Sequence, residues 1–524
     1  MWTQFLLENA HFSINIFAGM VFFAVFWLYW DAEEKSGLKG FLKLIGFLLI
    51  SISFLVHSTF IESSIVPSAY FRHELFSWIV YATKLLGYLL ILFGIAFDPL
   101  VSRPKANLPV LFGVVNLNYL PILYPLLSFF IGIFYLRRST KGLERHLKPI
   151  AKSFFLLTFS EILYLRTLYV GTDNISVLKL TTSFGPLWIA EHLLLLGAVI
   201  ILGNWVWGYL LRRLFTQFFM IFTLSSLLIF LFTTISFSAL LLKNIEDETL
   251  RKLKTDVKVL NFALEGKKDE AASDAQVLTQ NSQVVAAVSQ EEKTALADIL
   301  EDYLLSKNQS SLVVVSGKGE VLGRGEDREK VGDSLSGDAL IKRALIGERG
   351  ASVLAQDAIL SPEISVKAAV PIKNEDGEVI GAVLAGEKID NAFLDGIRRA
   401  TGLEASIYSG NVLSATTLVS PDGKSRPIGI KEENAKVKDN VLKDGIEFLG
   451  TTEILGTPYF TAYLPLKDID EVVVGMLFAG EPQVNALMIA GKSIEMTFIF
   501  AAALIVFSIL PSYLIAKYIT KQIR

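Results

Sequence analysis

Five ionisable residues lie inside apolar runs of the first half of the chain: Lys84, Glu161, Arg166, Glu191 and His192. A charge at the centre of a membrane-spanning helix costs roughly 2.5–3.5 kcal/mol on insertion scales. Five such groups require partners or a polar cavity. Their types suit an ion, a ligand or a proton. Glu161 and Arg166 share one run, and Glu191 and His192 share another, so interhelical pairs such as Glu191 with Lys84 or with Arg166 are expected. Paired charges would equally serve to lock helix packing, and the sequence leaves both readings open. Retinal chemistry is disfavoured, because the run 214–242 contains no lysine to form a Schiff base.

Other reactive patterns are missing. The chain has no cysteine, which removes disulfides, thiolate metal sites and cysteine nucleophiles. No HExxH occurs among its 5 histidines. Gly491-Lys492-Ser493 and Gly423-Lys424-Ser425 end like P-loops, but Ala486 and Leu418 stand where the first glycine is needed. His146 lies in a basic loop without the flanking acid of a phospho-acceptor. No enzyme activity, cofactor or metal site is therefore expected of this chain. Its net charge of −3 gives no signal for a nucleic-acid partner.

The elements that must position these residues are set by hydropathy. The 524 residues are 52% hydrophobic, with a mean hydropathy of +0.48. Long apolar runs account for the excess: 11–30, 41–60, 75–97, 109–136, 150–170, 180–211, 214–242 and 496–515, each long enough to cross a bilayer core of about 30 Å. Seven spans, a polar insert over 243–492 and an eighth span are expected. The first run has no cleavage site after it and reads as a retained helix. Arg137, Arg138, Lys141, Arg145, Lys148 and Lys152 form one basic loop, Arg212 and Arg213 another, and Lys517, Lys521 and Arg524 a third. All three are cytoplasmic together only if 243–492 lies outside. The N-terminal side stays open. Lys35, Lys39 and Lys43 favour an outside N-terminus, whereas eight spans favour an inside one. Asn116, Asn118, Pro121 and Pro125 suggest that part of 109–136 is re-entrant or interfacial.

Within the insert, Leu250, Leu253, Val257, Leu260 and Leu264 recur 3 and 4 apart, the spacing of a helical seam. The helix would be a stalk, packed either on its own domain or on a second copy of the chain, and 266–300 continues it. From Ser311 the pattern changes to strands, with helices over 338–346 and 391–400. The segment 368–387, AAVPIKNEDGEVIGAVLAGE, is matched 94 residues later by 462–481, AYLPLKDIDEVVVGMLFAGE. Pro371/Pro465, Lys373/Lys467, Asp376/Asp470, Gly381/Gly475 and the final Ala-Gly-Glu coincide. Each copy reads as strand, polar hairpin, strand, so two similar α+β modules lie in tandem.

These stretches resemble Cache domains, the extracytoplasmic relatives of PAS folds. The resemblance is carried by Gly325-Glu326-Asp327, Val331-Gly332-Asp333-Ser334-Leu335, Ile341-Lys342-Arg343-Ala344-Leu345 and the hairpin 371–386. In the second copy it is carried by Ser414-Ala415-Thr416-Thr417 and 459–477. Over about 250 residues the arrangement is similar to the double-Cache region of bacterial and archaeal chemoreceptors and sensor kinases. Residues 515–524 resemble the start of a HAMP helix, with Gln522 where members usually carry proline.

The resemblance implies a multi-domain membrane protein: an all-α transmembrane bundle over 1–242, a helical stalk over 243–310 and a membrane-distal Cache module over 311–402. A membrane-proximal module over 403–492, a transmembrane helix over 493–516 and a signalling helix from 517 follow. It points to a distal ligand site of Arg324, Asp327, Arg343, Ser352, Ser365 and Lys367, with Arg343 offering a planar fork to a carboxylate. A second pocket would use Tyr408, Thr416, Tyr459 and Tyr463. The expected function is an inner-membrane receptor, working as a homodimer, that senses a small organic ligand outside and relays it to a cytoplasmic output module beyond this sequence. Two-component and chemotaxis outputs both fit. The alternatives are a transporter or membrane enzyme with an extracytoplasmic regulatory domain, and an adhesion or scaffold protein.

Overall fold

A computed structural model describes residues 2–31, 37–62, 73–96, 121–169, 175–307, 309–356, 358, 361–402, 404–420 and 423–523. Lys35, Asn116, Asn118 and Arg524, named above, lie outside the described residues, as does the part of the fourth expected span before residue 121. The chain divides into two units, 1–244 with 486–524, and 245–485.

The first unit is helical: α1 (Trp2–Asp31), α2 (Gly37–His57), α3 (His73–Ala96), α4 (Leu123–Lys141), α5 (Lys148–Tyr164), α6 (Ile175–Thr181), α7 (Pro186–Leu210) and the first part of α8 (Leu214–Thr279). Among the described residues, 6 helical stretches are long and apolar enough to cross a membrane: Trp2–Trp30, Gly40–His57, Phe76–Ala96, Val177–Leu210, Leu214–Thr279 and Gln483–Ile523. The fourth and fifth expected spans correspond to α4 and α5, which carry more polar residues and are not among these. Small residues let helices approach closely. A Cβ on Gly46 would lie 2.8 Å from the Gly87 carbonyl oxygen, and one on Gly87 would lie 2.9 Å from that of Gly46, so α2 and α3 cross with backbones in contact. Phe22, Phe47 and Phe54 fill the space beside this crossing.

The second unit begins within α8 and continues through α9 (Ser282–Ser289) and α10 (Lys293–Lys307). Leu253, Val257, Leu260 and Leu264 of the α8 seam are buried within a single chain. Of the two readings of that seam, packing on its own domain is the one observed.

A first sheet follows: β1 (Ser311–Ser316), β2 (Val321–Arg324), α11 (Ala339–Leu345), β3 (Gly350–Gln356), β4 (Glu363–Lys373) and β5 (Val379–Ile389), in the order β2-β1-β5-β4-β3. Helix α12 (Asn391–Thr401) leads to the second sheet. Its cap, Asp390, accepts from the Ala392 and Phe393 amides, and Gly402 closes it in the left-handed region. Then come β6 (Glu404–Ser409), β7 (Val412–Thr416), α13 (Ala435–Val437) with a π-helical turn Lys438–Lys443, β8 (Phe448–Ile454), β9 (Thr457–Lys467) and β10 (Val473–Pro482). Their order is β7-β6-β10-β9-β8. The chain ends in α14 (Gln483–Ile523), which rejoins the first unit from Ala486.

The two sheets are antiparallel throughout and share one topology. The repeated sequence segments are the β4–β5 and β9–β10 hairpins. The repeated glycines have a shared cause. A Cβ on Gly381 would collide with the Val315 carbonyl oxygen, and one on Gly475 with the Tyr408 carbonyl oxygen. The strand register shifts beside both glycines.

Candidate functional site

Antiparallel pairing fixes which side chains share a face of the first sheet. Arg324 pairs with Val313, Val313 with Leu384, and Leu384 with Ala369. Val313, Leu384 and Ala369 pack with Leu340, Ile341 and Ala344 of α11, so Arg324 belongs to the α11 face. Two residues along, Ser311, Gly386, Lys367 and Ser352 form the next row of that face, and Lys388, Ser365 and Leu354 the row after. The opposite face packs on the helices before β1, through Leu296, Leu300, Leu312 and Val314. The α11 face is thus apolar beneath α11 and polar beyond it.

Four of the six distal residues expected from the sequence stand on this face: Arg324, Ser352, Ser365 and Lys367. The Lys367 stem lies across Gly386, where a Cβ would come 2.8 Å from Lys367 Cγ. This directs Lys367 over β5, towards the side of the sheet that carries Arg324. Three strand spacings of roughly 4.8 Å separate β2 from β4, about 14 Å, and two long cationic side chains can bridge that interval to one small anion. Arg324 donates through Nη2 to Asp333 Oδ2 at 2.5 Å, while its Nε is buried without a protein acceptor among the described residues. The Ser365 hydroxyl is likewise buried without a partner among the described residues. Buried polar groups ordinarily find partners, so these two atoms mark the polar half of the face as a place for a ligand or water. Lys388 is held by Glu363 at 2.5 Å.

The other two expected distal residues are engaged elsewhere. Asp327 sits in the loop after β2, where its Oδ1 accepts from the Glu329 amide. Arg343, in the last turn of α11, donates to Asp470 Oδ1 in the β9–β10 turn at 2.8 Å. It joins the two modules. Ser352 does the same from β3: its Oγ accepts from the Ile469 amide at 3.0 Å, and the Ile469 side chain packs into the apolar cluster under α11.

In the second sheet, Tyr408, Thr416, Tyr459 and Tyr463 also share a face. The centre of this face is filled by protein. Tyr408 and Tyr463 pack with Phe478, Met476, Val437 and Val441. The Tyr463 hydroxyl donates to the buried Glu432 Oε2 at 2.5 Å. Burial, then the neighbouring Tyr408 and Glu432, push the Tyr463 phenol well above its usual range. Burial raises Tyr408 as well. The Thr416 hydroxyl meets Ser406 Oγ at 2.6 Å. Sequence reasoning did not reach Glu432, since one acid in the polar stretch 431–447 carries no signal.

In the first unit the five charged or ionisable residues are buried and partnered. Lys84 Nζ lies 2.7 Å from Glu161 Oε1, which also accepts from the Tyr88 hydroxyl at 2.8 Å. Arg166 pairs with Glu191 at 3.1 Å and reaches Glu62 at 3.6 Å. His192 Nε2 stands 2.9 Å from His11 Nδ1. Beside α1, α7 and α8 lies an apolar cavity of about 390 Å³, bordered by Phe17, Trp27, Trp207 and Phe219 among others.

The two sheets share one strand order, each with a helix packed on one face. Residues 387–492 match the family "Single cache domain 3". The chain thus contains a Cache sensor region. Similar solved structures include the sensor domain of DcuS from E. coli, at 21% identity and a TM-score of 0.23 over 26% of this chain and 98% of that one. The periplasmic domain of LuxQ from Vibrio cholerae is similar at 14% identity and a TM-score of 0.29, over 45% and 99%. The ligand-binding domain of the Campylobacter jejuni chemoreceptor Tlp3 in complex with L-valine is similar at 15% identity and a TM-score of 0.32, over 47% and 97%. The comparison with curated proteins finds no match.

Proposed function

We propose that this chain is a multi-pass membrane receptor whose second unit, outside the cytoplasm, senses a small organic anion on the α11 face of the first sheet. The observation that carries this reading is the polar half of that face. There Arg324 and Lys367 stand in adjacent rows on either side of β1 and β5, and Arg324 Nε and Ser365 Oγ are buried without protein partners among the described residues. A carboxylate supplies acceptors for both cations. The Cache match over 387–492 supports a sensor rather than a catalyst. The apolar stretches Leu214–Thr279 and Gln483–Ile523, before and after the sheets, support membrane anchoring at both ends.

The relay follows the chain. A ligand acts through its different affinity for two states. Closure of α11 on the ligand pulls on the Arg343–Asp470 pair and on Ile469, and so on the β9–β10 turn. β10 runs directly into α14. Displacement of α14 then reaches an output module on the cytoplasmic side, with a coupling of about 1–3 kcal/mol being typical. Homodimerisation would suit a paired signalling helix.

Thermal unfolding of the full chain in detergent, with a panel of small carboxylates, amines and amino acids, tests the reading. At 100 times its dissociation constant a ligand stabilises by about 2.7 kcal/mol. At least one carboxylate should raise the transition, and Arg324→Gln and Lys367→Gln should abolish the shift. A silent panel, or a shift indifferent to both substitutions, would overturn the assignment.

A further inference from the structure

We propose that the first unit holds one divalent transition-metal ion, zinc by its ligand set, between His11, His57, His192 and Glu62. This inference is independent of the sensor reading above.

The three histidines come from α1, the end of α2 and α7, and Glu62 follows α2. Among the described residues, ligand atoms of His11, His57 and Glu62 lie within 4.8 Å of one another. His11 Nδ1 is 4.0 Å from Glu62 Oε1, and His57 Nε2 is 3.6 Å from the same oxygen. His192 Nε2 joins them 2.9 Å from His11 Nδ1. In a tetrahedral zinc site with bonds of about 2.0–2.1 Å, adjacent ligand atoms stand roughly 3.3 Å apart. The observed spacings of 2.9, 3.6 and 4.0 Å straddle that value.

The hydrogen bonds on the far side of each ring decide which nitrogens hold lone pairs. His11 Nε2 faces the His57 carbonyl oxygen at 3.1 Å, and His192 Nδ1 faces the Trp188 carbonyl oxygen at 3.0 Å. His57 Nδ1 faces Asn15 Oδ1 at 3.3 Å, an orientation fixed because Asn15 Nδ2 donates to the His11 carbonyl oxygen at 2.9 Å. Each of these far-side nitrogens therefore carries the proton and donates it to an oxygen. With the rings neutral, the inward nitrogens, His11 Nδ1, His57 Nε2 and His192 Nε2, are then all acceptors. Two lone pairs at 2.9 Å repel unless a cation lies between them. Asn15 Nδ2, at 3.2 Å from His11 Nδ1, satisfies only one of them.

Ring N–H groups bonded to backbone or amide oxygens are the usual outer support of metal-bound histidines. Glu62 is oriented in the same sense. Its Oε2 accepts from Trp188 Nε1 at 3.2 Å and lies 3.6 Å from Arg166, leaving Oε1 to the rings. The charge balance also calls for a cation. With the rings neutral, Glu62 and Glu191 face the single guanidinium of Arg166. Three imidazoles and one carboxylate suit zinc, with cobalt and nickel as competitors.

The test uses the full chain in detergent, loaded with zinc and dialysed against metal-free buffer. About one zinc per chain should remain, and cobalt should give the visible ligand-field absorption of a four-coordinate ion. His57→Gln and His192→Gln should lose the metal, whereas His146→Gln, in a basic turn apart from the cluster, should keep it. Asn15→Leu leaves all four ligands in place and should weaken binding about 10–100-fold. Sub-stoichiometric zinc in the unaltered chain overturns the proposal, as does retention by both histidine variants. Should those variants fail to fold, the cobalt spectrum of the unaltered chain decides: a four-coordinate band supports the site, and its absence refutes it.

Discussion

At the level of single residues, what the sequence reveals depends on contrast with the surroundings. Lys84, Glu161, Arg166, Glu191 and His192 are conspicuous because they interrupt apolar runs. His11, His57 and Glu62 are not, because they lie at or near the ends of such runs, where polar residues are ordinary. Their meeting depends on helices 46 and 181 positions apart in the chain. Glu432 is hidden in the same way and is found only through Tyr463. Tyr463→Phe removes the donor to a buried carboxylate and should lower stability by about 1–3 kcal/mol at neutral pH. The phenols of Tyr463 and Tyr408 are raised by burial. In the unfolded chain they ionise near pH 10, roughly. Above that pH the folded state holds more protons than the unfolded one. Their contribution to stability is therefore complete below about pH 10 and is lost as the pH rises towards the folded values. The thermal transition of the full chain should fall more steeply above pH 10 than that of Tyr463→Phe. Equal slopes would remove the phenol from the account.

Among the elements, those with strong local signals were legible. Helix α12 is announced by Asp390 before it and Gly402 after it, and the α8 seam by its spacing of apolar residues. Strand β8 was missed, since Phe448-Leu449-Gly450-Thr451-Thr452-Glu453-Ile454 offers little alternation. The π-helical turn after α13 has no sequence signature of its own. The two repeated hairpins were recognised, yet their turns differ. Gly377, with φ +83°, is replaced at the matching position by Glu471, with φ +61°. Glu375 is replaced by Ile469, an apolar residue at a turn, which was the available sign of a docking contact. Ile469 enters the cluster beneath α11, and its amide donates to Ser352. The exposed Arg343–Asp470 pair contributes about 0–1 kcal/mol, so Ile469 is the stronger tie. Ile469→Ala should cost about 2 kcal/mol, the low end for losing an isoleucine, because the side chain is only partly buried. It should also separate unfolding of the two modules into distinct calorimetric transitions, which Asp470→Asn should not. A single unchanged transition in both variants would show that the turn does not couple them.

For the molecule as a whole, hydropathy and the basic loops make a definite expectation of sidedness. The lack of native cysteine makes it simple to test. Glu375→Cys, at the exposed β4–β5 turn, should react with a membrane-impermeant maleimide in intact spheroplasts. Thr140→Cys, beside the basic loop after α4, should react only after the membrane is opened. The reverse pattern would place the sheets in the cytoplasm and end the receptor reading. The duplicated fold was visible in the sequence because the repeat keeps the glycines that backbone contact demands. The different use of the two copies was not, because it rests on side chains met across strands. One copy fills its face with Tyr408, Tyr463 and Phe478, and the other carries Arg324, Lys367 and Ser365 there.

The tie between Ile469 and the α11 cluster has a reciprocal side. Whatever factor an occupant of the first sheet imposes on the conformation of the 468–472 turn, a reagent gripping that turn must impose on the occupant's affinity. An antibody fragment selected against this short peptide would then act as an agonist or an antagonist without ever approaching the proposed binding face.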